Sequence, residues 1–168
     1  DMRALLAPSA EFSARIAESA GTIDVERFAL TSPALTLTAD GTYQRSGRVF
    51  DLVLDIAGGP ALARVASGLD LEEIAFSGTA AGTPEDFRAR GEARLAGLRT
   101  EPAQADTLSL TLDARRTEAS TDITLAGRGE GVRLDRIGPE TLGEVRLAAE
   151  ARLTGERIEL SEAALTSP

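Results

Sequence analysis

The chain contains no histidine, no cysteine, no tryptophan and no lysine, so all 18 of its basic residues are arginine. Without cysteine there is neither a disulfide framework nor thiolate chemistry. General acid–base catalysis relies mostly on His or on a carboxylate with a raised pKa, and a serine nucleophile needs a base. Structural zinc sites draw on Cys and His ligands. These absences predict a protein that is not an enzyme and carries no cofactor.

Carboxylates are numerous but scattered. The adjacent pairs Glu72-Glu73 and Glu85-Asp86 have the composition of solvated turns, and we do not expect either to act as a glycosidase-type carboxylate pair. The calcium-binding pattern of an EF-hand loop is absent from the sequence. The Gly-rich residues 127–131 match neither a dinucleotide-binding nor a phosphate-binding loop, and we predict a loop between strands there.

The overall charge excludes two classes of partner. The net charge is −9 and the pI is about 4.6. An acidic surface repels the phosphates of nucleic acids and the headgroups of anionic membranes. No apolar run approaches the roughly 18 residues that a membrane-spanning helix requires.

Alternation of apolar and polar residues dominates the chain. It is clear in residues 12–16, 35–38, 52–57, 108–113 and 145–153, and a period of two indicates a strand with one apolar face. About ten such runs of five to ten residues are separated by Gly, Pro, Asp or Thr. The sequence therefore predicts an all-β, mainly antiparallel fold: an elongated curved sheet.

Two stretches depart from the alternation. Residues 59–68 begin with Gly-Pro and end with Gly, which predicts a short helix over residues 61–66. Residues 2–6 resemble the end of a similar helix. Residues 98–106, with Pro102 near their centre, are predicted to form a loop.

One phrase recurs within the chain. Ile23 opens an eleven-residue phrase that returns at Ile158, 135 residues later and without a gap; looser copies begin at Leu69 and Val132. The shared pattern places two residues where alternation expects one, which is typical of a β-bulge or a tight hairpin. Repeats of this kind build an elongated sheet unit by unit.

We expect residues 1–168 to form one repetitive β-sheet segment. The chain opens with Asp-Met-Arg and closes with Thr-Ser-Pro, and neither end has the composition of a start or a finish. We therefore expect this segment to have been excised from a much longer protein.

The apolar face is the remaining candidate for function. It is either a core covered by protein or a groove left open for acyl chains. Aromatics make up only 4% of the chain, so its lining would be aliphatic. Strand periodicity predicts that the following residues share one face. They are Ile23, Val25, Phe28, Leu30, Leu35, Leu37, Leu52, Leu54, Ile56, Leu108, Leu110, Leu112, Ile123, Leu125, Val145, Leu147, Leu153, Ile158 and Leu160.

Three phrases resemble the TamB family, within the wider AsmA-like group of bacterial envelope proteins. They are Phe-Ala-Leu-Thr-Ser-Pro at residues 28–33 leading into residues 35–41, the run over residues 62–76, and residues 82–91. The resemblance extends over nearly the whole chain and is shared between TamB and other AsmA-like members.

The resemblance implies a periplasmic segment of a protein anchored in the inner membrane. In that family a taco-shaped β-groove is thought to carry phospholipid towards the outer membrane. TamB also partners an outer-membrane barrel protein, and we expect that contact to involve parts of the parent chain not present here. The alternative function is a closed scaffold or interaction module for outer-membrane protein assembly, which binds no lipid.

Overall fold

The computed structural model describes residues 9–63, 69–101, 103–134, 142–154 and 157–167. Within these residues, strand follows strand with one single-turn helix between them. The elements in chain order are β1 (Glu11–Ser19), β2 (Thr22–Thr31), β3 (Leu35–Gln44), β4 (Val49–Gly58), α1 (Pro60–Ala63), β5 (Leu69–Asp70), β6 (Glu73–Gly82), β7 (Phe87–Thr100), β8 (Ala103–Arg116), β9 (Thr121–Leu134), β10 (Leu142–Thr154) and β11 (Arg157–Thr166).

All the strands belong to one antiparallel sheet. Its order is β1-β2-β3-β4-β6-β7-β8-β9-β10-β11, and the two-residue strand β5 pairs with β7 beside this path. Each long strand therefore pairs with its neighbour in sequence, as in a meander. The predicted all-β class and the elongated, curved, mainly antiparallel sheet are confirmed, and the sheet is open.

The connections fall alternately at the two ends of the sheet. The segments between strands at residues 20–21, 45–48, 83–86 and 117–120 are tight and lie at one end, which we call the hairpin end. The other end carries residues 32–34 and the longer stretch between β4 and β6, which contains α1 and β5. We call it the capped end.

Very little of the molecule is enclosed. Among the described residues the buried apolar side chains are Ala34, Leu71, Ala105, Ala114, Val132 and Val145. Three of them, Ala105, Val132 and Val145, form one cluster with partly buried leucines around it. Most of this small core lies towards the capped end, so the middle of the sheet is held by strand pairing and by packing between neighbouring side chains.

The loop predicted over residues 98–106 is wrong. Strand β7 continues to Thr100 and β8 begins at Ala103, and their pairing reaches Arg99 opposite Gln104. The alternation is interrupted by Gly97, which adopts a positive φ of 62°. The pairing of β7 with β8 keeps one register on both sides of Gly97. The apolar residues Leu95 and Leu98 are nevertheless three positions apart around it, which hides the period of two in the sequence.

The loop predicted over residues 127–131 is also wrong. These residues lie inside β9. Gly127 and Gly129 occupy apolar-face positions, where an added Cβ would lie 2.6 Å from a methyl carbon of Leu110 and 2.8 Å from one of Val132, respectively. The Gly-Arg-Gly-Glu-Gly sequence is thus an alternating strand in which glycine makes room for its neighbours.

The predicted helix is present only in part. A single helical turn spans Pro60–Ala63. Residues 64–66 of the predicted helix lie outside the described residues, as does the whole of residues 2–6. Strands β7, β8 and β9 each have 14 residues, which is longer than the five to ten predicted. β7 and β9 each continue through a glycine with a positive φ instead of ending there.

The bulge predicted from the repeated phrase is present in both complete copies. In the β1–β2 pair, Arg15 faces Arg27 and Ile16 faces Val25, which leaves Glu26 as the extra residue. In the β10–β11 pair, Ser161 is the extra residue in the same way. The bulge restores the alternation, so the apolar residues on either side of it stay on one face.

Candidate functional site: an uncovered apolar face

Pairing brings apolar residues into rows that run across the sheet, because directly opposed residues in paired strands point to the same side. One row crosses all ten long strands without interruption. In strand order it consists of Phe12, Leu30, Leu37, Ile56, Phe76, Ala93, Leu110, Gly127, Leu147 and Leu165. We call the side of the sheet that carries this row the apolar face, and its opposite the polar face.

The register places all nineteen residues predicted from the sequence on the apolar face. Leu54, for example, lies in a second row that joins Ala39 on β3 to Gly78 on β6. Leu52 lies in a third row between Gly41 and Ala80.

Sequence reasoning missed the part of the face contributed by β6 and β7. Ile74 and Phe76 on β6 lie opposite Leu95 and Ala93 on β7, and they close the gap between Ile56 and Leu110. The phrase that begins at Leu69, a looser copy of the repeat, was the signal that could have placed them. Phe12 and Ile16 extend the face onto β1.

Most apolar-face side chains are half-buried although none of the described elements forms a second layer over them. In β4, for instance, the exposure alternates between exposed and partly buried residues along the whole strand. Every substantial contact between described strands joins sheet neighbours. The partial burial therefore comes from neighbouring side chains lying against one another on the same face.

The accessible area of the chain agrees with an uncovered face. It is 11197 Å², whereas a compact monomer of 17.6 kDa would expose about 7,900 Å². The rows through Ile56, Leu54 and Leu52 each cross the ten long strands. With about 4.8 Å between strands and roughly 6.8 Å between alternate residues, these three rows cover about 1,000 Å². The largest apolar patch on a typical monomer covers about 300–600 Å², and larger ones mark interaction sites.

Glycines shape the middle of the apolar face. The ring of Phe76 lies close to Gly78 and Gly91, where an added Cβ would stand 2.8 Å and 2.5 Å from ring carbons. Near the hairpin end, the rings of Phe50 and Phe87 approach to 5.9 Å between centroids, and Gly82 pairs with both residues. The ring of Phe76 therefore lies over Gly78 and Gly91, where any other residue would collide with it.

The polar face carries ion pairs between strands. Arg88 and Arg90 on β7 both contact Asp113 on β8, and Arg152 on β10 contacts Asp122 on β9 at 2.6 Å. Hydrogen bonds from Arg88 lower the pKa of Asp113, and the hydrogen bond from Arg152 lowers the pKa of Asp122. All of these groups are well exposed, so they add solubility and register rather than a reactive centre.

The described residues also form a depression on the side of the sheet opposite the apolar face. A shallow trough of about 880 Å³ lies on the polar face, lined mainly by side chains such as Thr38, Asp55, Glu92, Arg94 and Arg128. The expected groove would instead have been lined by the aliphatic residues. The apolar face is thus an exposed sheet surface rather than a deep pocket.

Within the described residues no group of three or more metal-ligating side chains comes together. None of their buried side-chain polar atoms lacks a hydrogen-bond partner. No described helix has the length and hydropathy needed to cross a membrane.

No model of a known protein family, no curated protein and no solved structure matches this chain. The apolar face is therefore interpreted from its own geometry.

Proposed function

We propose that this chain is a non-catalytic segment of a TamB- or AsmA-like envelope protein, and that its apolar face shields the acyl chains of phospholipids. In this proposal it acts in the periplasm, within a parent protein anchored in the inner membrane, and serves lipid transport between the membranes. An outer-membrane barrel protein would be engaged by other parts of the parent chain.

The observation that carries the proposal is the uninterrupted apolar row across ten strands, over which no element of the described part of the chain packs. Apolar surface of this extent is unfavourable in water by about 25 cal/mol for each Å². Acyl chains suit the face because its lining is mostly aliphatic, and because glycines leave room for the ring of Phe76 at its centre. The rows through Leu52, Leu54 and Ile56 contain no arginine or carboxylate. Glu18 and Arg116 lie on the apolar face only near the hairpin end, opposite Ile23 and Phe87 respectively.

The closed scaffold is the competing function. It requires a filled, dry core, in which the middle of β4 would be enclosed. Leu54 and Ile56 are instead only partly buried, and the enclosed side chains lie mostly towards one end of the sheet. This distribution favours a face that is available to a ligand.

Photo-crosslinking from the two sides of β4 tests the proposal. Leu54 and its chain neighbour Val53 point to opposite faces, and Val53 is 40% exposed on the polar face. A photoreactive residue at position 54 should crosslink to phospholipid in membrane extracts of the expressing cells, whereas one at position 53 should not. Native mass spectrometry of the gently purified protein should show co-purified lipid.

A charge at the same two positions supplies the matched control. Leu54→Asp should abolish lipid retention because burying a carboxylate against acyl chains is strongly unfavourable, while the sheet stays folded because no protein layer packs there. Val53→Asp should retain lipid. If Leu54→Asp unfolds the protein and position 54 never crosslinks to lipid, the lipid proposal fails and the scaffold function stands.

A further inference from the structure

Two hairpins of this chain are structural copies of each other. β1–β2 pairs Phe12 with Leu30, and β10–β11 pairs Leu147 with Leu165. Each residue of the second hairpin lies 135 positions after its equivalent in the first, through all nine paired positions of each hairpin, and the extra residues Glu26 and Ser161 are equivalent too. β11 is therefore equivalent to β2 in structure as well as in sequence.

The two copies differ in what lies on their outer side. β2 pairs with β3, and its apolar-face residues Ile23, Val25 and Leu30 are partly buried. β11 lies at the edge of the sheet, and its equivalents Ile158, Leu160 and Leu165 are 70%, 64% and 51% exposed. An apolar edge with free backbone hydrogen-bonding groups is a template for a further strand.

We propose that the free edge of β11 binds a β-strand with the residue pattern of β3, paired antiparallel in the β2–β3 register. That register places Leu37 opposite Leu30 and Thr38 opposite Ala29. Transferred by 135 positions, the bound strand presents its Leu37 equivalent to Leu165 and its Thr38 equivalent to Ala164. Backbone hydrogen bonds hold the strand, and the alternating side chains set its position.

The bulge also restricts which residue the bound strand can carry opposite Leu160. Val25, next to the bulge of β2, lies opposite Gly41, whose φ is 144°. Leu160 is the equivalent of Val25, so a strand bound with the backbone conformation of β3 has a residue with a positive φ at that point, which favours glycine. Strand β1 of a second copy lacks this glycine, because Ile16 would fall there when Phe12 is aligned with Leu165. The edge therefore matches a β3-type strand better than it matches the edge strand of another copy.

Disulfide trapping tests both binding and register, since the chain contains no cysteine of its own. The full chain carrying Leu165→Cys or Ala164→Cys is mixed, under mild oxidation, with a peptide of residues 33–45 carrying Leu37→Cys or Thr38→Cys. We expect adducts from the pairs 165–37 and 164–38, at yields at least about tenfold above 165–38 and 164–37. A slip of one residue would turn the side chains to opposite faces.

Equal yields from all four combinations, or no adduct at all, would overturn the proposal. So would efficient dimers between chains carrying Leu165→Cys and chains carrying Phe12→Cys, because the occupant would then be a second copy. Circular dichroism of each variant confirms that the sheet is intact before trapping. Lipid binding does not enter this experiment, so its outcome is independent of the function proposed above.

Discussion

The ring of Phe76 on β6 occupies the space left by the missing side chain of Gly91 on β7. A Cβ on Gly91 would stand 2.5 Å from two carbons of that ring. The two residues are not directly opposite each other, since Phe76 faces Ala93 and Gly91 faces Gly78. The ring therefore leans diagonally over the glycine pair. This arrangement fills the centre of the apolar face without raising its surface.

Gly91→Ala should destabilise the protein by about 1–3 kcal/mol, because the added methyl group forces the Phe76 ring out of its position. Equilibrium unfolding in urea measures the change. Gly143→Ala is the matched control within β10, since an added Cβ there meets no atom within 4 Å. We expect that variant to be neutral or slightly more stable, as the unfolded chain loses freedom.

A double variant distinguishes a clash with the ring from a general effect of the methyl group. Phe76→Leu removes the ring atoms that the methyl group would meet, so adding Gly91→Ala to that background should have less effect than in the wild-type protein. A coupling energy near zero would show that the ring is not the obstacle.

Acid should weaken the ion pairs on the polar face. The pKa of Asp113 is lowered by Arg88 and that of Asp122 by Arg152, so each carboxylate contributes stability above the pKa of an unfolded aspartate, about 3.9. That contribution is lost as the pH falls through the lower pKa of the folded state. The melting temperature should accordingly be flat between about pH 8 and 5 and decline below about pH 4.

Asp113→Asn isolates one of these sites. This variant lacks the carboxylate that titrates, so its melting temperature should fall less steeply in acid than that of the wild type. About 1 M salt should also reduce the difference in melting temperature between the variant and the wild type, because salt screens exposed ion pairs. Parallel acid profiles for variant and wild type would mean that Asp113 makes no contribution to the pH dependence.

The period-two pattern is a local property, and it was sufficient to predict the class of the fold and the shared face. Leu52, Leu54 and Ile56 alternate with residues of the other face in the sequence, and the register keeps that alternation. Pairing partners are not local properties. Leu37, Ile56 and Phe76 lie in one row because β3, β4 and β6 pair in a particular register. That register is known only from the folded sheet.

Glycine explains where prediction failed. At Gly97 a positive φ lets the strand continue although the pattern is broken, so a strand was mistaken for a loop. At Gly127 the glycine replaces an apolar residue beneath Leu110, so an alternating strand was mistaken for a flexible segment. Glycine had been interpreted as a strand breaker in residues 127–131, whereas the loop over residues 98–106 was predicted from Pro102. In the folded sheet both glycines lie within continuous strands.

The residues of the candidate site could be predicted from the sequence, but the shape of the surface they form could not. The sequence marked the aliphatic residues but contained no sign that they would lie on a shallow surface instead of in a pocket. It was likewise silent on the trough of the polar face, because Thr38, Glu92 and Arg128 are far apart in sequence and are gathered only by the meander.

Leu71 provides the sharpest test of where the enclosed part of the molecule lies. At 1% exposure it is the one large side chain among the described residues that is fully buried, in the connection between β5 and β6. Leu71→Ala should therefore remove about 2–5 kcal/mol of stability through lost burial and the cavity that remains.

Leu165→Ala makes the same chemical change on the edge strand, where the side chain is 51% exposed, and should alter stability by no more than about 0.5 kcal/mol. Urea unfolding of both variants gives the comparison. If the two leucines proved equivalent, the capped end would not hold the core, and the sheet would have to be stabilised evenly along its strands.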